Sequence, residues 1–144
     1  MKVLFLDVDG VLNNSHTRVS PDGFFGTDPH MVLLLDRIIQ ATKCQVVLSS
    51  AWRHHKPSMA YIGKMIHGGL LSKTGDAENG HRGREIQDWL DEWNDLATDK
   101  VERYAIVDDD SDMLEEQLPS FFQTKWETGL TEETAERIIK HLSD

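Results

Sequence analysis

The sequence contains a single cysteine, few prolines and no long apolar run. With Cys44 alone, the chain can form no internal disulfide, and it has no Cys-x-x-Cys pair for a structural zinc site. No stretch approaches the roughly 18 apolar residues that span a membrane, and the apolar run before Asp7 is shorter than the roughly 7–15 residues of a signal-peptide core. These absences favour a cytoplasmic protein with no membrane partner.

Basic residues are scarce relative to acidic ones. The 144 residues include 15 Lys and Arg against 25 Asp and Glu, which gives a net charge of −10. A charge of this sign argues against a broad basic face for nucleic acid or anionic membranes, but it leaves room for a local basic patch. The composition is otherwise ordinary, and the length fits a single domain over 1–144.

Short apolar runs alternate along the chain with stretches of helical spacing. The run at 3–6 is continuously apolar, which is typical of a strand buried on both faces of a parallel sheet. The β-rich run at 45–48 and the run at 104–107 are further candidates for such strands. We expect a brief strand or turn at 70–71, a further strand at 121–124, and loops over 13–26 and 76–83. Helices are predicted over about 30–43, 57–66, 83–96 and 131–142, the first with Asp28 as N-cap and Pro29 at its first position. This alternation predicts an α/β fold, a three-layer α/β/α, Rossmann-like, doubly wound parallel sheet.

Polar side chains follow three of the predicted strands at the points where the strands end. They are Asp7 and Asp9, then Ser49 and Ser50, then the acidic run at 108–112. Because open parallel sheets bind ligands at the carboxyl ends of their strands, these groups are expected to share one edge. Crowded carboxylates repel one another unless a cation lies among them, and oxygen ligands favour Mg²⁺.

The same residues carry a resemblance to a known family. The segment Asp-Val-Asp-Gly-Val-Leu at 7–12, placed after an apolar strand, resembles motif one of the haloacid dehalogenase-like (HAD) hydrolase superfamily. Ser49 after the strand at 45–48 resembles the Ser or Thr of motif two, with Ser50 as the alternative and Ser49 favoured. Asp108 and Asp109 resemble the acidic motif four. The order and the strand context agree over nearly the whole chain.

Motif three of the family is a Lys or Arg ahead of the acidic strand, and here the pattern departs from the family. No Lys-Pro occurs, and His-Arg-Gly-Arg-Glu at 81–85 stands in the expected place. Arg82 is the first choice for this cation and Arg84 the reserve. Lys73 and Lys100 are weaker candidates.

The resemblance implies a Mg²⁺-dependent phosphomonoester hydrolase that works through an aspartyl-phosphate. Asp7 would be the nucleophile and Asp9 the acid and base. Mg²⁺ would be held by Asp7, the main-chain carbonyl of Asp9 and Asp108, with Arg82 opposite. The remaining members of the expected metal site, which would hold metal-bound water or the backbone, are Asp109 and Asp112.

The chain has little room for the cap domain that often covers small substrates in this superfamily. About thirty residues separate Ser50 from Arg82, enough for a short helix and a flap. The segments 49–53 and 82–86 resemble the HAD domains found with RNA-repair proteins, including the phosphatase half of polynucleotide kinase-phosphatases. The substrate would then be a phosphorylated nucleic-acid end or a nucleotide, and the residues expected to bind it are Gly10, Ser50, Trp52, Arg53 and Arg84.

Two other functions remain open from the sequence. An open site would also accept small molecules, as in a 5'-nucleotidase. The chain could instead be a catalytically degenerate HAD-like binding module, although the intact pair of Asp7 and Asp9 argues against this.

Overall fold

Five parallel strands form the central sheet of the computed structural model, which describes residues 1–18 and 26–143. The strand order is β3-β2-β1-β4-β5, so the first strand lies in the middle. The strands are β1 (Lys2–Leu6), β2 (Gln45–Leu48), β3 (Ser72–Lys73), β4 (Arg103–Asp108) and β5 (Phe121–Gln123). The predicted parallel α/β architecture is confirmed.

Four α-helices of the described segments connect and cover these strands. They are α1 (Pro29–Thr42), α2 (Lys56–Met65), α3 (Arg82–Leu96) and α4 (Glu132–Ser143). Three 3₁₀ helices lie between them, at Ala51–His54, Glu78–Gly80 and Glu115–Ser120. Within the two described segments no domain is inserted between these elements, so the prediction that the chain has no large cap is confirmed. Residues 19–25 of the predicted loop over 13–26 lie outside the described residues.

The helices pack on both faces of the sheet because successive residues of a strand point to opposite sides. Leu4 and Leu6 of β1 pack in a core with α1, α2 and α4. Val3 and Phe5 face the other side and pack against α3, where the Phe5 and Trp89 rings meet edge to face at 5.4 Å. A strand buried on both faces must be apolar throughout, which explains the continuous runs in the sequence.

The start of α1 follows from its sequence. The Asp28 side chain accepts a hydrogen bond from the His30 N–H at 2.8 Å, and Pro29 occupies the first turn, where a missing N–H leaves no bond unmade. The helix ends at Thr42, and the capping residue Lys43 adopts a left-handed φ of 60°. The predicted N-cap of this helix is confirmed.

The third strand lies two residues later than the sequence indicates. The backbone N–H of Leu71 donates to the Val46 carbonyl at 2.8 Å, but the ladder with β2 runs through Ser72 and Lys73. The position of a short edge strand depends on its pairing with the neighbouring strand more than on the hydrophobicity of its own residues. This explains why β3 does not coincide with the apolar pair at 70–71.

None of the helices over 1–18 and 26–143 is long and apolar enough to span a bilayer.

Candidate active site

The carboxyl edge of the sheet gathers polar groups from all five strands. Asp7 follows β1, Ser49 follows β2, Thr74 follows β3, Asp108 ends β4 and Thr124 follows β5. The backbone continues the parallel ladder here, with the Ser49 N–H donating to the Leu6 carbonyl at 2.9 Å. The sheet thus places the ends of distant segments side by side.

Three carboxylates converge at the centre of this edge. Asp7, Asp108 and Asp109 each offer an oxygen, and these oxygens lie within 4.8 Å of one another. Asp7 and Asp108 are buried, and among the described residues the Oδ2 atom of Asp108 has no hydrogen-bond partner. A cluster of hard oxygen ligands with an orphaned carboxylate oxygen fits a divalent cation such as Mg²⁺.

Crowding and burial change the acidity of this cluster. Burial raises the pKa of Asp7 well above its usual range, the neighbouring Asp108 adds to this, and the Arg82 guanidinium opposes it. Burial likewise raises the pKa of Asp108 to about 7, against hydrogen bonding from the Asp110 N–H and the charge of Arg82. Both carboxyl groups would be ionised more readily beside a cation.

Asp9 lies apart from this cluster and is bound by two neutral donors. Its Oδ1 accepts from the Asn13 amide at 2.9 Å, and its Oδ2 accepts from the Trp52 indole N–H at 3.1 Å. The Gly10 N–H in turn donates to the Asn13 side-chain carbonyl at 2.9 Å. The two carboxylates of the Asp-x-Asp segment therefore have different surroundings.

Gly10 reverses the chain directly beside the cluster. It has a φ of +80°, and a Cβ atom at this position would lie 2.3 Å from the Oδ2 of Asp109. The Thr124 hydroxyl donates to the Gly10 carbonyl at 2.6 Å and holds the turn in place. Only glycine permits both the positive φ and the approach of Asp109.

The two serines after β2 differ in their hydrogen bonds. The Ser50 hydroxyl accepts from the Trp52 N–H at 3.1 Å and caps the 3₁₀ helix at Ala51–His54. The Ser49 hydroxyl is fully buried and has no partner within 1–18 and 26–143. Of these two serines, Ser49 is therefore the one whose hydroxyl takes part in no hydrogen bond with a described residue.

Of the four candidate cations, Arg82 is the one that reaches the carboxylates. Its Nε lies 3.8 Å from the Oδ2 of Asp108, and its Nη1 donates to the Ser49 carbonyl. Arg84 is half-exposed and pairs with Asp88 at 4.0 Å.

The other two candidates lie elsewhere. Lys73 is an exposed residue of the edge strand β3. Lys100 lies after the end of α3 and donates to the carbonyl of Asn94 within that helix.

Asp112, the last of the expected metal-site residues, accepts from the Arg82 N–H at 3.0 Å. Its own carbonyl accepts from Gly83 at 2.9 Å, so Asp112 fixes the start of α3 outside the carboxylate cluster.

The expected substrate contacts Trp52 and Arg53 are both buried. The Arg53 guanidinium donates to the Ser50 carbonyl at 2.8 Å, to Asp76 at 2.8 Å and to Glu85 at 3.0 Å. Sequence reasoning missed Asn13 and Glu85, which hold Asp9 and Arg53. Asn13 lies four residues after Asp9, but this spacing does not by itself predict a hydrogen bond between them. Glu85 lies 32 residues from Arg53, so no local pattern in the sequence links the two.

The fold and the site together define an α/β protein of the Rossmann-like type with a carboxylate cluster at the carboxyl edge of its sheet. A family model described as the HAD domain in Swiss Army Knife RNA repair proteins matches residues 3–135. The chain belongs to this family, and the resemblance predicted from its motifs is confirmed. The comparison with curated proteins gave no match.

Proposed function

We propose that the protein is a Mg²⁺-dependent phosphomonoester hydrolase that removes phosphate from nucleic-acid ends through an aspartyl-phosphate on Asp7. The observation that carries this proposal is the convergence of Asp7, Asp108 and Asp109 at the carboxyl edge of the sheet. The family description, which refers to RNA repair, supports the class of substrate.

The carboxylate cluster fits the metal that this reaction requires. Asp7, Asp108 and the main-chain carbonyl of Asp9 would hold Mg²⁺, with Asp109 adjacent. The bound ion supplies positive charge that offsets the repulsion between a carboxylate and a phosphate dianion. The orphaned Oδ2 of Asp108 and the raised pKa of this group support such an occupant.

The chain's own residues account for the transfer. A carboxylate oxygen of Asp7 attacks the phosphorus in line, and the bond from phosphorus to the leaving oxygen breaks. Asp9 gives its proton to that oxygen. In the second step Asp9 takes a proton from water, the water oxygen bonds to phosphorus, and the Asp7 carboxylate is released with inorganic phosphate.

Two further groups would bind the phosphate oxygens. Arg82 provides a fixed positive charge next to Asp108, and the unpartnered Ser49 hydroxyl provides a hydrogen bond. The Arg82 side chain donates to the Ser49 carbonyl, which ties these groups together. Asp112 acts indirectly, since it holds the backbone from which Arg82 extends.

The absence of an inserted domain among the described residues supports a large substrate. Within the described segments, no inserted domain covers the cluster, so a phosphate on a polynucleotide end could approach. Because Trp52 and Arg53 are buried and hydrogen-bonded to protein groups, recognition would depend on the terminal phosphate more than on stacking against Trp52.

A cytoplasmic location is part of the proposal and is consistent with the free, buried Cys44 thiol.

Release of phosphate from defined substrates tests this proposal. Oligonucleotides with a 3'- or 5'-phosphate would be compared with mononucleotides, with and without Mg²⁺. We expect Mg²⁺-dependent hydrolysis that favours an oligonucleotide and that falls by roughly 10³-fold or more in Asp7→Asn.

The matched control is Asp95→Asn, which makes the same change at an exposed position of α3 and should retain activity. Equal rates in Asp7→Asn and wild type would contradict the proposed chemistry and favour a binding module. A strong preference for mononucleotides would contradict the proposed substrate and favour a 5'-nucleotidase.

A further inference from the structure

The carboxylate of Asp9 is held at both of its oxygens by groups outside the carboxylate cluster. The Asn13 amide donates to Oδ1 at 2.9 Å, and the Trp52 indole donates to Oδ2 at 3.1 Å. Asn13 is fully buried and the Trp52 side chain is 9% exposed. Both donors are neutral and buried, so water competes little for these bonds.

The two donors are themselves fixed, and they come from different strand ends. Asn13 accepts from the Gly10 N–H at 2.9 Å and also donates to the Gly26 carbonyl at 3.0 Å. Trp52 lies in the 3₁₀ helix that follows β2, with its own N–H bound by the Ser50 hydroxyl at 3.1 Å. The orientation of Asp9 therefore depends on the neighbouring loop of the sheet as well as on its own.

We infer that Trp52 and Asn13 are positioning residues that hold the Asp9 carboxylate in the orientation needed for proton transfer. The inference rests on the proposed function, in which Asp9 exchanges protons with the leaving oxygen and with water. An indole N–H can only donate and an amide NH₂ likewise, so neither group exchanges the proton itself. Two bonds on separate oxygens prevent rotation of the carboxylate about its Cβ–Cγ bond.

This arrangement separates two tasks among neighbouring carboxylates. Asp7, two residues earlier, faces the cluster with Asp108 and Asp109. Without these two hydrogen bonds, the Asp9 carboxylate would be attracted to the cation proposed for the cluster and to the Arg82 guanidinium. The donors from Asn13 and Trp52 keep it outside the cluster.

The decisive variant is Trp52→Phe, which removes the indole N–H and keeps an aromatic ring in the buried position. The readout is kcat/KM for an alkyl phosphate and for an aryl phosphate with an acidic phenol. An alkoxide needs a proton from Asp9 as it leaves, whereas an acidic phenolate does not. We expect kcat/KM to fall about tenfold for the alkyl phosphate and much less for the aryl phosphate, with inhibition by inorganic phosphate unchanged.

The chain offers a matched control in Trp89→Phe. The Trp89 side chain is 8% exposed, and its indole N–H donates to the Ser72 hydroxyl at 3.0 Å, on the other side of the sheet from Trp52. This variant loses the same kind of hydrogen bond at the same burial. Its ratio of alkyl to aryl kcat/KM should equal that of wild type.

A second variant keeps the test decisive if Trp52→Phe does not fold. Asn13→Ala removes the donating NH₂, together with the acceptor for Gly10, and adds no charge beside Asp9. The alkyl to aryl ratio of this variant therefore still reports the orientation of Asp9. Circular dichroism melting would show which variants are folded.

The outcomes separate this inference from the proposed function. A lowered alkyl to aryl ratio in Trp52→Phe or in Asn13→Ala, but not in Trp89→Phe, would support the positioning role. An unchanged ratio in the folded variants, with an active wild type, would overturn the role and leave the phosphatase proposal intact. If wild type releases phosphate neither from these substrates nor from the phosphorylated oligonucleotides, the proposed function fails and the inference fails with it.

Discussion

The Arg53 guanidinium forms a buried ion pair with the Glu85 carboxylate, with 3.0 Å between Nη2 and Oε2. The two side chains are 5% and 2% exposed. The same Glu85 oxygen accepts from the Ala77 N–H at 3.2 Å, and its other oxygen lies 3.8 Å from the Nη1 of Arg82. Glu85 thus connects the segment after β2, the loop before α3 and the cation nearest the carboxylate cluster.

We expect Glu85→Gln to destabilise the fold because it removes the buried carboxylate from Arg53 and leaves the exposed Asp76 as the charged partner of that guanidinium. The loss should be about 3 kcal/mol in the free energy of unfolding, measured by urea denaturation. The double variant Arg53→Met with Glu85→Leu removes both charges and should be more stable than Glu85→Gln. An exposed pair supplies the control, since Arg84→Ala should change stability by less than about 0.5 kcal/mol. Equal stabilities of Glu85→Gln and Arg84→Ala would contradict a structural role for the buried pair.

Arg82 and Arg84 should differ sharply in their effect on catalysis. Arg82 lies next to Asp108, whereas Arg84 pairs with Asp88. Arg82→Ala should reduce kcat/KM for phosphate release roughly 10²-fold, because it removes a fixed charge from the phosphate site. Arg84→Ala should stay within about twofold, since surface pairs contribute little. Similar losses in the two variants would contradict the assignment of Arg82.

Mg²⁺ should stabilise the protein more at high pH than at low pH. The pKa of Asp108 is about 7 in the fold, above its ordinary value of 3.8, so the folded state keeps a proton that the unfolded chain releases. Without metal, this group therefore lowers stability as pH rises from about 4 through 7. Mg²⁺ binds the ionised carboxylates, so it should raise the Tm at pH 8 and have little effect at pH 5.

Thermal melts of Asp108→Asn check this reasoning. The neutral amide removes this ionisation, so the fall in stability of the metal-free variant between pH 5 and pH 8 should be smaller, and Asp7, whose pKa burial also raises, accounts for the part that remains. It should also lose most of the Mg²⁺-induced rise in Tm at pH 8. Each kcal/mol is expected to move the Tm by about 2–4 °C for a chain of this size. An equal response to Mg²⁺ in wild type and variant would exclude Asp108 from the cation site.

Gly10→Ala should weaken the response to Mg²⁺ through Asp109. The new Cβ would lie 2.3 Å from the Asp109 Oδ2, so that carboxylate must move. We expect the Mg²⁺ concentration for half-maximal activity to rise roughly tenfold or more. Gly68→Ala is the control, because Gly68 has a similar φ of +83° but nothing among the described residues within 4 Å of the added carbon. It should cost about 1–2 kcal/mol in strain and leave the Mg²⁺ response unchanged.

Local sequence was sufficient to predict most of the fold. The apolar runs at 3–6, 45–48 and 104–107 correspond to the three central strands, since a strand covered on both faces has no polar side. Asp28 and Pro29 begin α1 as expected, because capping depends on neighbouring residues alone. The edge strand β3 was less predictable, because its pairing depends on the position of β2.

The surroundings of Trp52 and Arg53 could not be predicted in the same way. Their position just after β2 predicts a place near the edge of the sheet, and the structure does place them there. Their partners, however, lie 43 residues away for Trp52 with Asp9 and 32 residues away for Arg53 with Glu85. Contacts between such distant segments leave no periodic pattern in the sequence.

The sequence by itself determined that Asp7 and Asp108 stand at the carboxyl ends of buried parallel strands, because continuous apolar runs define those strands and their ends. Only the tertiary structure decided which cation reaches these carboxylates. Arg82 and Arg84 are two residues apart on α3, and side chains at that spacing point to different sides of a helix. The packing of Ile86, Trp89 and Leu90 of α3 against the sheet sets the rotation of that helix, so Arg82 meets Asp108 and Arg84 faces solvent.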